Sequence, residues 1–460
     1  MLGQGALVLA APVLSRLYDP EAFGLLSVYA AVLSVLLAVA SLRFDLAIPI
    51  AADPREAFDL LVLSVLLGLG TSAALALVVL LWGPQLAAAM GAAPITPYLW
   101  LLPVALFIAG CAQALGSWAV YHRLYPALGR MRATQGVVQA TGQVVLGLLQ
   151  AGPFGLILGD IAGRVAGVEH LLSRALTTLR ATELSFRDLV RRARERWGFA
   201  RVMTAASLLS ALSLQVPFLL IPPLFDLASA GQYFLAYRVL ILPASLVGAA
   251  VSQVFFGEAS FRRDDVKRLE DLARNAAASL FAFSIPTYTI VIVGGPTLIE
   301  AVFGGQWALA GLYAQIMAPS LIIWSVASPI SSLLLVGRRE VESLAFTAVS
   351  LALEAGAFLI GAWCQSLTAA LVFLSATSVL TNGAALWRFL RVAHVGLRQL
   401  AIPVARILLL TLPSLALVAL VVFLAPGGIL PAAALGWMLA VLLSARFSPE
   451  FRALLSGSHD

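Results

Sequence analysis

Long apolar runs separated by short polar turns make up almost the whole chain. A bilayer core about 30 Å thick takes about 20 apolar residues when it is crossed by a helix. Fourteen stretches are candidates by that measure: 1–15, 24–48, 58–82, 97–120, 133–151, 154–172, 200–223, 231–256, 274–299, 312–336, 342–363, 367–390, 404–425 and 428–446. The runs are continuous and lack the alternation of inward and outward residues that a barrel strand requires. Between them lie turn residues: Asp19-Pro20, Gly83-Pro84, Gly152-Pro153, Pro222-Pro223, Gly295-Pro296 and Pro426-Gly427-Gly428. The pattern predicts an all-α integral membrane protein with about 14 transmembrane helices. The first stretch is short, about 22 Å at 1.5 Å per residue. It has neither the charged start nor the small-residue cleavage pattern of a signal peptide, so the expectation is that Met1 falls inside helix 1 and the true start lies upstream.

Helices 1–6 and 7–12 read as copies of one another. Leu17-Tyr18-Asp19, with Gly24 following, recurs as Leu224-Phe225-Asp226 with Gly231, at an offset of 207 residues. Each motif sits between the first and second helix of its half. Six helices per copy is an even number, so the copies share orientation, as parallel repeats about an axis along the membrane normal do in transporters. The expected organisation is an N-terminal six-helix lobe at 1–172, a basic cytoplasmic linker at 173–199 and a second six-helix lobe at 200–395. Two extra helices and a cytoplasmic tail follow at 396–460, and a central cavity is expected between the lobes.

Composition agrees with the pattern. The chain is 61% hydrophobic and 11% charged, whereas a soluble domain is about half apolar and about a quarter charged. Two cysteines exclude a disulfide scaffold. Of the 29 basic residues all but Lys267 are arginine. With the N-terminus in the cytoplasm, 25 of them fall in cytoplasmic loops, the tail or the cytoplasmic ends of the helices, one (Arg16) falls outside, and Arg43, Arg164 and Arg238 lie further inside helices. This is the positive-inside bias, and it sets both termini in the cytoplasm. The net charge of +6 therefore reports orientation rather than a nucleic-acid surface. The run Arg191-Arg192-Ala193-Arg194-Glu195-Arg196 reads as a solvated linker helix beside anionic lipid heads.

Familiar catalytic and metal chemistry is missing from the pattern. A P-loop needs lysine after glycine, and Lys267 follows Val266. His122, His170, His394 and His459 fall at the cytoplasmic edge or tail without metal-ligand spacing. Cys111 and Cys364 lie in different lobes and read as small apolar fillers. Asp264-Asp265 sits among basic residues and reads as a solvated charge cluster. The expectation is a transporter, with no cofactor and no metal.

Ionisable groups inside the bilayer then carry the interest, since each costs about 2.5–3.5 kcal/mol on insertion scales. Arg238 lies about eight residues into helix 8, too deep to snorkel, and reads as functional. Arg43 and Asp45 lie toward the cytoplasmic end of helix 2. A spacing of two puts them on different helix faces, so they are either snorkelling charges or functional ones. Asp160 and Arg164 lie mid-helix 6 at i, i+4 and read first as a structural pair. Beside them Gly155, Gly159, Gly163 and Gly167 form a ridge that implies close helix packing. Glu354, mid-helix 11, has no local partner and is either a proton or ion site or a packing residue. Guanidinium stays charged when buried and grips phosphate with a bidentate fork. A cavity lined by Arg43 and Arg238, with Arg16 or Arg164, would suit a diphosphate head group. Asp45, Asp160 and Glu354 are the candidate coupling or gating acids.

Three stretches carry a family resemblance. They are Pro12-Val13-Leu14-Ser15-Arg16-Leu17-Tyr18-Asp19-Pro20-Glu21-Ala22-Phe23-Gly24, then Leu42-Arg43-Phe44-Asp45-Leu46-Ala47-Ile48, then Ala230-Gly231-Gln232-Tyr233-Phe234-Leu235-Ala236-Tyr237-Arg238-Val239. With weaker matches in 132–143 and 253–258, the chain resembles the bacterial oligosaccharide flippases, or polysaccharide biosynthesis proteins, over most of 10–395. These belong to the multidrug/oligosaccharidyl-lipid/polysaccharide exporter superfamily. The resemblance implies two six-helix lobes in a V around a cationic cavity. It also implies alternating-access transfer of an undecaprenyl-diphosphate-linked glycan between leaflets of the inner membrane, for surface polysaccharide. Arg16, Arg43 and Arg238 match the family's arginines at the end of helix 1 and in helices 2 and 8. Implied partners are the lipid-linked glycan, membrane lipids, a polysaccharide polymerase and glycosyltransferases. Nucleic acid is not among them, and a monomer suffices. A lipid II flippase, a cation-coupled drug exporter and a membrane glycosyltransferase or ligase are the alternatives.

Overall fold

A computed structural model describes residues 2–181, 185–261, 266–331, 333, 340–424 and 428–447. Arg262, Arg263, Asp264, Asp265, Arg338, Arg339, Arg452, His459 and the Pro426-Gly427 turn lie outside the described residues. The described chain is helical, with no strand among those residues. Its helices are α1 (Leu2–Leu17), α2 (Pro20–Ala40), α3 (Pro54–Ala89), α4 (Leu101–Tyr121), α5 (Tyr125–Leu148), α6 (Gly152–Val165), α7 (Glu169–Ala181) and α8 (Phe186–Leu224). They continue as α9 (Leu227–Phe261), α10 (Val266–Phe303), α11 (Ala308–Ile330), α12 (Glu340–Trp363), α13 (Leu367–Val392), α14 (Leu397–Leu424) and α15 (Ile429–Phe447). Among the described residues each of the fourteen apolar stretches overlaps a helix.

Among the described residues nine of these helices are long and apolar enough to cross a membrane, and Gly5–Leu17 and Ile429–Leu443 are shorter apolar helices. Leu80, Trp363 and Phe423 are almost fully exposed. Such side chains are stable on a surface that faces lipid, where helices satisfy their own backbone groups. The protein is a multi-pass helical membrane protein.

Capping chemistry starts several helices where the sequence changes character. Asp19 Oδ1 accepts from Ala22 N at 2.8 Å with Pro20 in the first turn of α2, and Asp53 caps α3 in the same way, ahead of Pro54. Asp226 Oδ1 accepts from Ser229 N at 2.7 Å, so both copies of the repeated motif use one device. The motif glycines explain themselves where these turns meet. A Cβ on Gly24 would strike the Leu227 carbonyl oxygen, and one on Gly231 would strike that of Pro20.

The chain divides into two compact units, Met1–Gly231 and Gln232–Asp460. In the first, α5 packs on α1 and α6, α3 on α4, and α2 on α8. The glycine ridge does what its spacing implies: a Cβ on Gly159 would stand 2.5 Å from Gln143 Cγ, and one on Gly163 2.5 Å from Gln139 Cβ, both on α5. In the second unit α10 packs on α11, α14 and α15, and α13 packs on α11 and α12. Buried Gln232 joins α9 to the start of α11, donating to Gln306 O at 2.6 Å and accepting from Ala310 N at 2.9 Å.

Two predicted helices differ from the sequence expectation. The stretch 24–48 is helical only to Ala40, and 154–172 breaks after Val165, where Gly167 takes a φ of 76° against Met131 of α5. Arg164 therefore sits in the last turn of α6, not at mid-helix.

Candidate functional site

The break after α2 builds the first cluster. Leu42 and Arg43 have φ of 47° and 57°, a left-handed conformation that costs a non-glycine residue about 1–3 kcal/mol. A 3₁₀ turn over Phe44–Ile50 follows, with Pro49 inside it. The turn carries Asp45 inward, to 1% exposure. Ser41 Oγ donates to Asp45 Oδ1, and Gln113 Nε2 of α4 donates to Oδ2 at 2.8 Å. Arg43 NH1 lies 4.0 Å from Oδ2. The expectation that Arg43 and Asp45 face apart on a continuous helix is thus corrected: the strained turn replaces helical geometry and brings them within ion-pair distance. The pair is a long one. Arg43 is partly exposed, and its Nε finds no hydrogen-bond partner among the described residues, so its donors are not used up by Asp45.

The second cluster lies between α5 and α6. Arg164 Nε donates to Asp160 Oδ2 at 2.7 Å and NH2 to Oδ1 at 3.3 Å, the expected i, i+4 pair, while Gln139 Nε2 adds a bond to Oδ1 at 3.0 Å. Gln135 Nε2 donates to the Arg164 carbonyl at 3.3 Å, and Gln143 Nε2 to the Leu156 carbonyl at 3.0 Å. Tyr18 at the end of α1 donates to the Gln143 carbonyl at 2.8 Å. Tyr29 of α2, fully buried, lies in the field of both Asp160 and Arg164. Every charge here is met by an opposite charge or an amide, as burial demands.

Unit two contributes a third cluster. The Arg238 guanidinium carbon lies 5.9 Å from the centroid of Phe234, one turn earlier on α9. Tyr233 and Tyr237 stack at 6.2 Å on the same helix. Both feel the charge of Glu354 on α12, so Glu354 has neighbours that its own helix did not reveal. Arg16 is exposed at the end of α1, and no ion pair joins it among the described residues.

A fourth group departs from the solvated run that the sequence predicts. Arg196, on the long cytoplasmic start expected for α8, donates from Nε to Glu56 Oε1 at 2.8 Å, and Ala52 N donates to Oε2 at 2.8 Å. Glu56 is 2% exposed and Asp59 1%. Arg192 Nε lies 4.0 Å from Asp59 Oδ2, and Arg55 Nε 3.4 Å from Oδ1. The linker reading is corrected for Arg192 and Arg196, which neutralise buried carboxylates of α3. Sequence reasoning also missed Ser41, Gln113, Gln135, Gln139, Gln143 and Tyr29, because it weighed only ionisable groups in the apolar runs. Four glutamines within predicted spans were the available signal.

Residues 13–311 match the sequence profile of the family described as Polysaccharide biosynthesis protein. Lipopolysaccharide biosynthesis protein WzxC of Escherichia coli (strain K12) is 24% identical over 163 residues, 35% of this chain and 33% of that protein. The match thus spans about a third of that relative's length. Among solved structures, the inward closed conformation of lipid II flippase MurJ superposes with a TM-score of 0.71 at 14% identity, covering 99% of each chain. The inward-facing conformation of a multidrug resistance MATE family transporter of the MOP superfamily gives 0.68 at 16% identity, over 86% of this chain and 96% of that one. The fold is shared with flippases and transporters, and the chain belongs to the polysaccharide biosynthesis protein family.

Proposed function

We propose that the protein is a flippase for an undecaprenyl-diphosphate-linked oligosaccharide in the bacterial inner membrane, supplying surface polysaccharide synthesis. The observation that carries this reading is the broken helix after α2, which holds a partly exposed guanidinium with an unspent donor beside a buried carboxylate. Interrupted helices at membrane depth are where transporters bind charged substrates. Arg43 and Arg238 hold the diphosphate, with Arg16 at the end of α1 as a further contact. Arg164 is committed to Asp160 and takes a lesser part. Asp45 and Glu354 are the acids whose protonation or pairing couples and gates the cycle. Asp160 acts through Arg164. Transfer proceeds by alternating access, the same arginines meeting the head group from one leaflet and releasing it to the other. Both termini lie in the cytoplasm, and the glycan arrives from glycosyltransferases and leaves toward a polymerase.

Complementation of a flippase-deletion strain tests the reading. Arg238→Ala and Arg43→Ala are expected to reduce glycan export to background at unchanged membrane protein level. Lysine at either position should restore only part of it, because ammonium lacks the bidentate fork. Normal export in both alanine variants overturns the site. The second reading, a lipid II flippase, draws on a superposition covering 99% of each chain. It predicts lysis on depletion, where the first predicts loss of a polymer alone.

A further inference from the structure

Between α9 and α11 of the second unit lies a cavity of about 230 Å³ that the reading above does not use. Its walls include Ser245, Gly248 and Ser252 from α9, and Trp324, Ser325 and Ser328 from α11. Positions 245, 248 and 252 are spaced i, i+3, i+7, so they share one helix face. Gly248 supplies the space: a Cβ there would already touch Pro329 Cγ at 3.4 Å. No charged side chain lines the cavity. An apolar amphiphile tail has no use for four hydroxyls, and an anion would find no cation.

Two of the four hydroxyls are set up as acceptors. Ser245 Oγ donates to the Leu242 carbonyl and Ser325 Oγ to that of Ile322, both at 2.9 Å. Their protons are spent on their own helices, which leaves oxygen lone pairs for a ligand's O–H groups. Trp324 adds a broad apolar ring with a polar edge. A ligand that donates from several hydroxyls and offers an apolar face to an indole is a sugar ring. The position along α9 fits as well. Arg238 and Ser245 are seven residues apart, on one face and about 10.5 Å along the helix axis, with Ser252 a further two turns on. A phosphate held by Arg238 would have its next covalent unit on the same face as the cavity.

We propose that this cavity is a saccharide subsite, which receives a sugar ring of the glycan whose diphosphate Arg238 holds. The link to Arg238 rests on the proposed flippase function; the sugar chemistry of the cavity does not.

The test uses the full-length protein in lipid nanodiscs with three probes: undecaprenyl diphosphate, the lipid-linked glycan extracted from the host, and that glycan released free of lipid and phosphate. Wild type should bind the glycosylated lipid more tightly than the bare diphosphate. Trp324→Ala, and Ser245→Leu, which fills the cavity, should weaken glycosylated-lipid binding at least about tenfold and leave the bare lipid within about twofold. Trp324→Phe should retain most of the affinity, since it keeps a ring. The free glycan should lose binding in Trp324→Ala and keep it in Arg238→Ala. The subsite is overturned if wild type does not distinguish the glycosylated from the bare lipid, or if Trp324→Ala weakens both equally or neither. If wild type and Arg238→Ala bind the bare lipid alike, the diphosphate assignment fails, and the free glycan still decides the cavity.

Discussion

Asp160 spends both oxygens inside the protein, on Arg164 and Gln139, at 2.7–3.3 Å. Asp45 takes two neutral donors and a guanidinium at 4.0 Å. The difference decides which carboxylate holds the fold and which is available to a cycle. A saturated buried pair resists rearrangement, because freeing either partner leaves an uncompensated charge, a loss of about 3–5 kcal/mol. Arg164→Ala should therefore destabilise the protein on that order, since it strands the buried Asp160, and Asp160→Ala somewhat less, since the Arg164 left behind retains partial exposure. The double variant should cost less than the sum of the two, with a coupling of about 0.5–3 kcal/mol. Thermal unfolding in detergent micelles reads the cycle. Additive losses would show that the two side chains do not depend on each other. Asp45→Asn, by contrast, should unfold near wild type while changing export, because Ser41 keeps an acceptor and Gln113 can turn its amide oxygen toward the new N–H.

Helices were legible in the sequence where local chemistry alone makes them, and illegible where distant partners intervene. The apolar runs are helical over most of their described length because a continuous apolar run in lipid has no other way to satisfy its backbone. The turn at Leu42 and Arg43 carries neither glycine nor proline. Its conformation is set through Asp45 by Gln113, which is 68 residues away, and periodicity cannot report that. The basic start of α8 differs from its sequence expectation for the same reason: Glu56 stands 140 residues from Arg196. A comparison within that one helix tests the correction. Arg196 meets a carboxylate that is almost fully buried, whereas Arg191 meets Asp188 at 2.9 Å with both side chains substantially exposed. Arg196→Ala should lower the unfolding temperature clearly and nearly independently of salt, as buried charges are little screened. Arg191→Ala should cost at most about 1 kcal/mol, and that effect should fade at high salt. Equal, salt-sensitive losses would return Arg196 to the solvated face.

At the scale of the whole molecule, the arginine bias predicts which side of the membrane each loop occupies. The protein supplies its own reporter. Cys364 is exposed just after α12, whereas Cys111 is half-buried within α4. With both termini cytoplasmic, the turn between α12 and α13 lies on the outer face, and the turn between α4 and α5, with exposed Arg130 near it, lies inside. A membrane-impermeant maleimide added to spheroplasts should therefore label Cys364 without permeabilisation, and Cys364→Ser should remove the signal. In that serine background Arg130→Cys should react only after the membrane is opened. The two sites test the same orientation from opposite faces, so poor expression of one variant cannot imitate the expected result. Labelling of Arg130→Cys in sealed spheroplasts, with Cys364 protected, would invert the topology. The basic loops would then face outward, and the arginines assigned to the diphosphate would meet the head group from the leaflet where it is released.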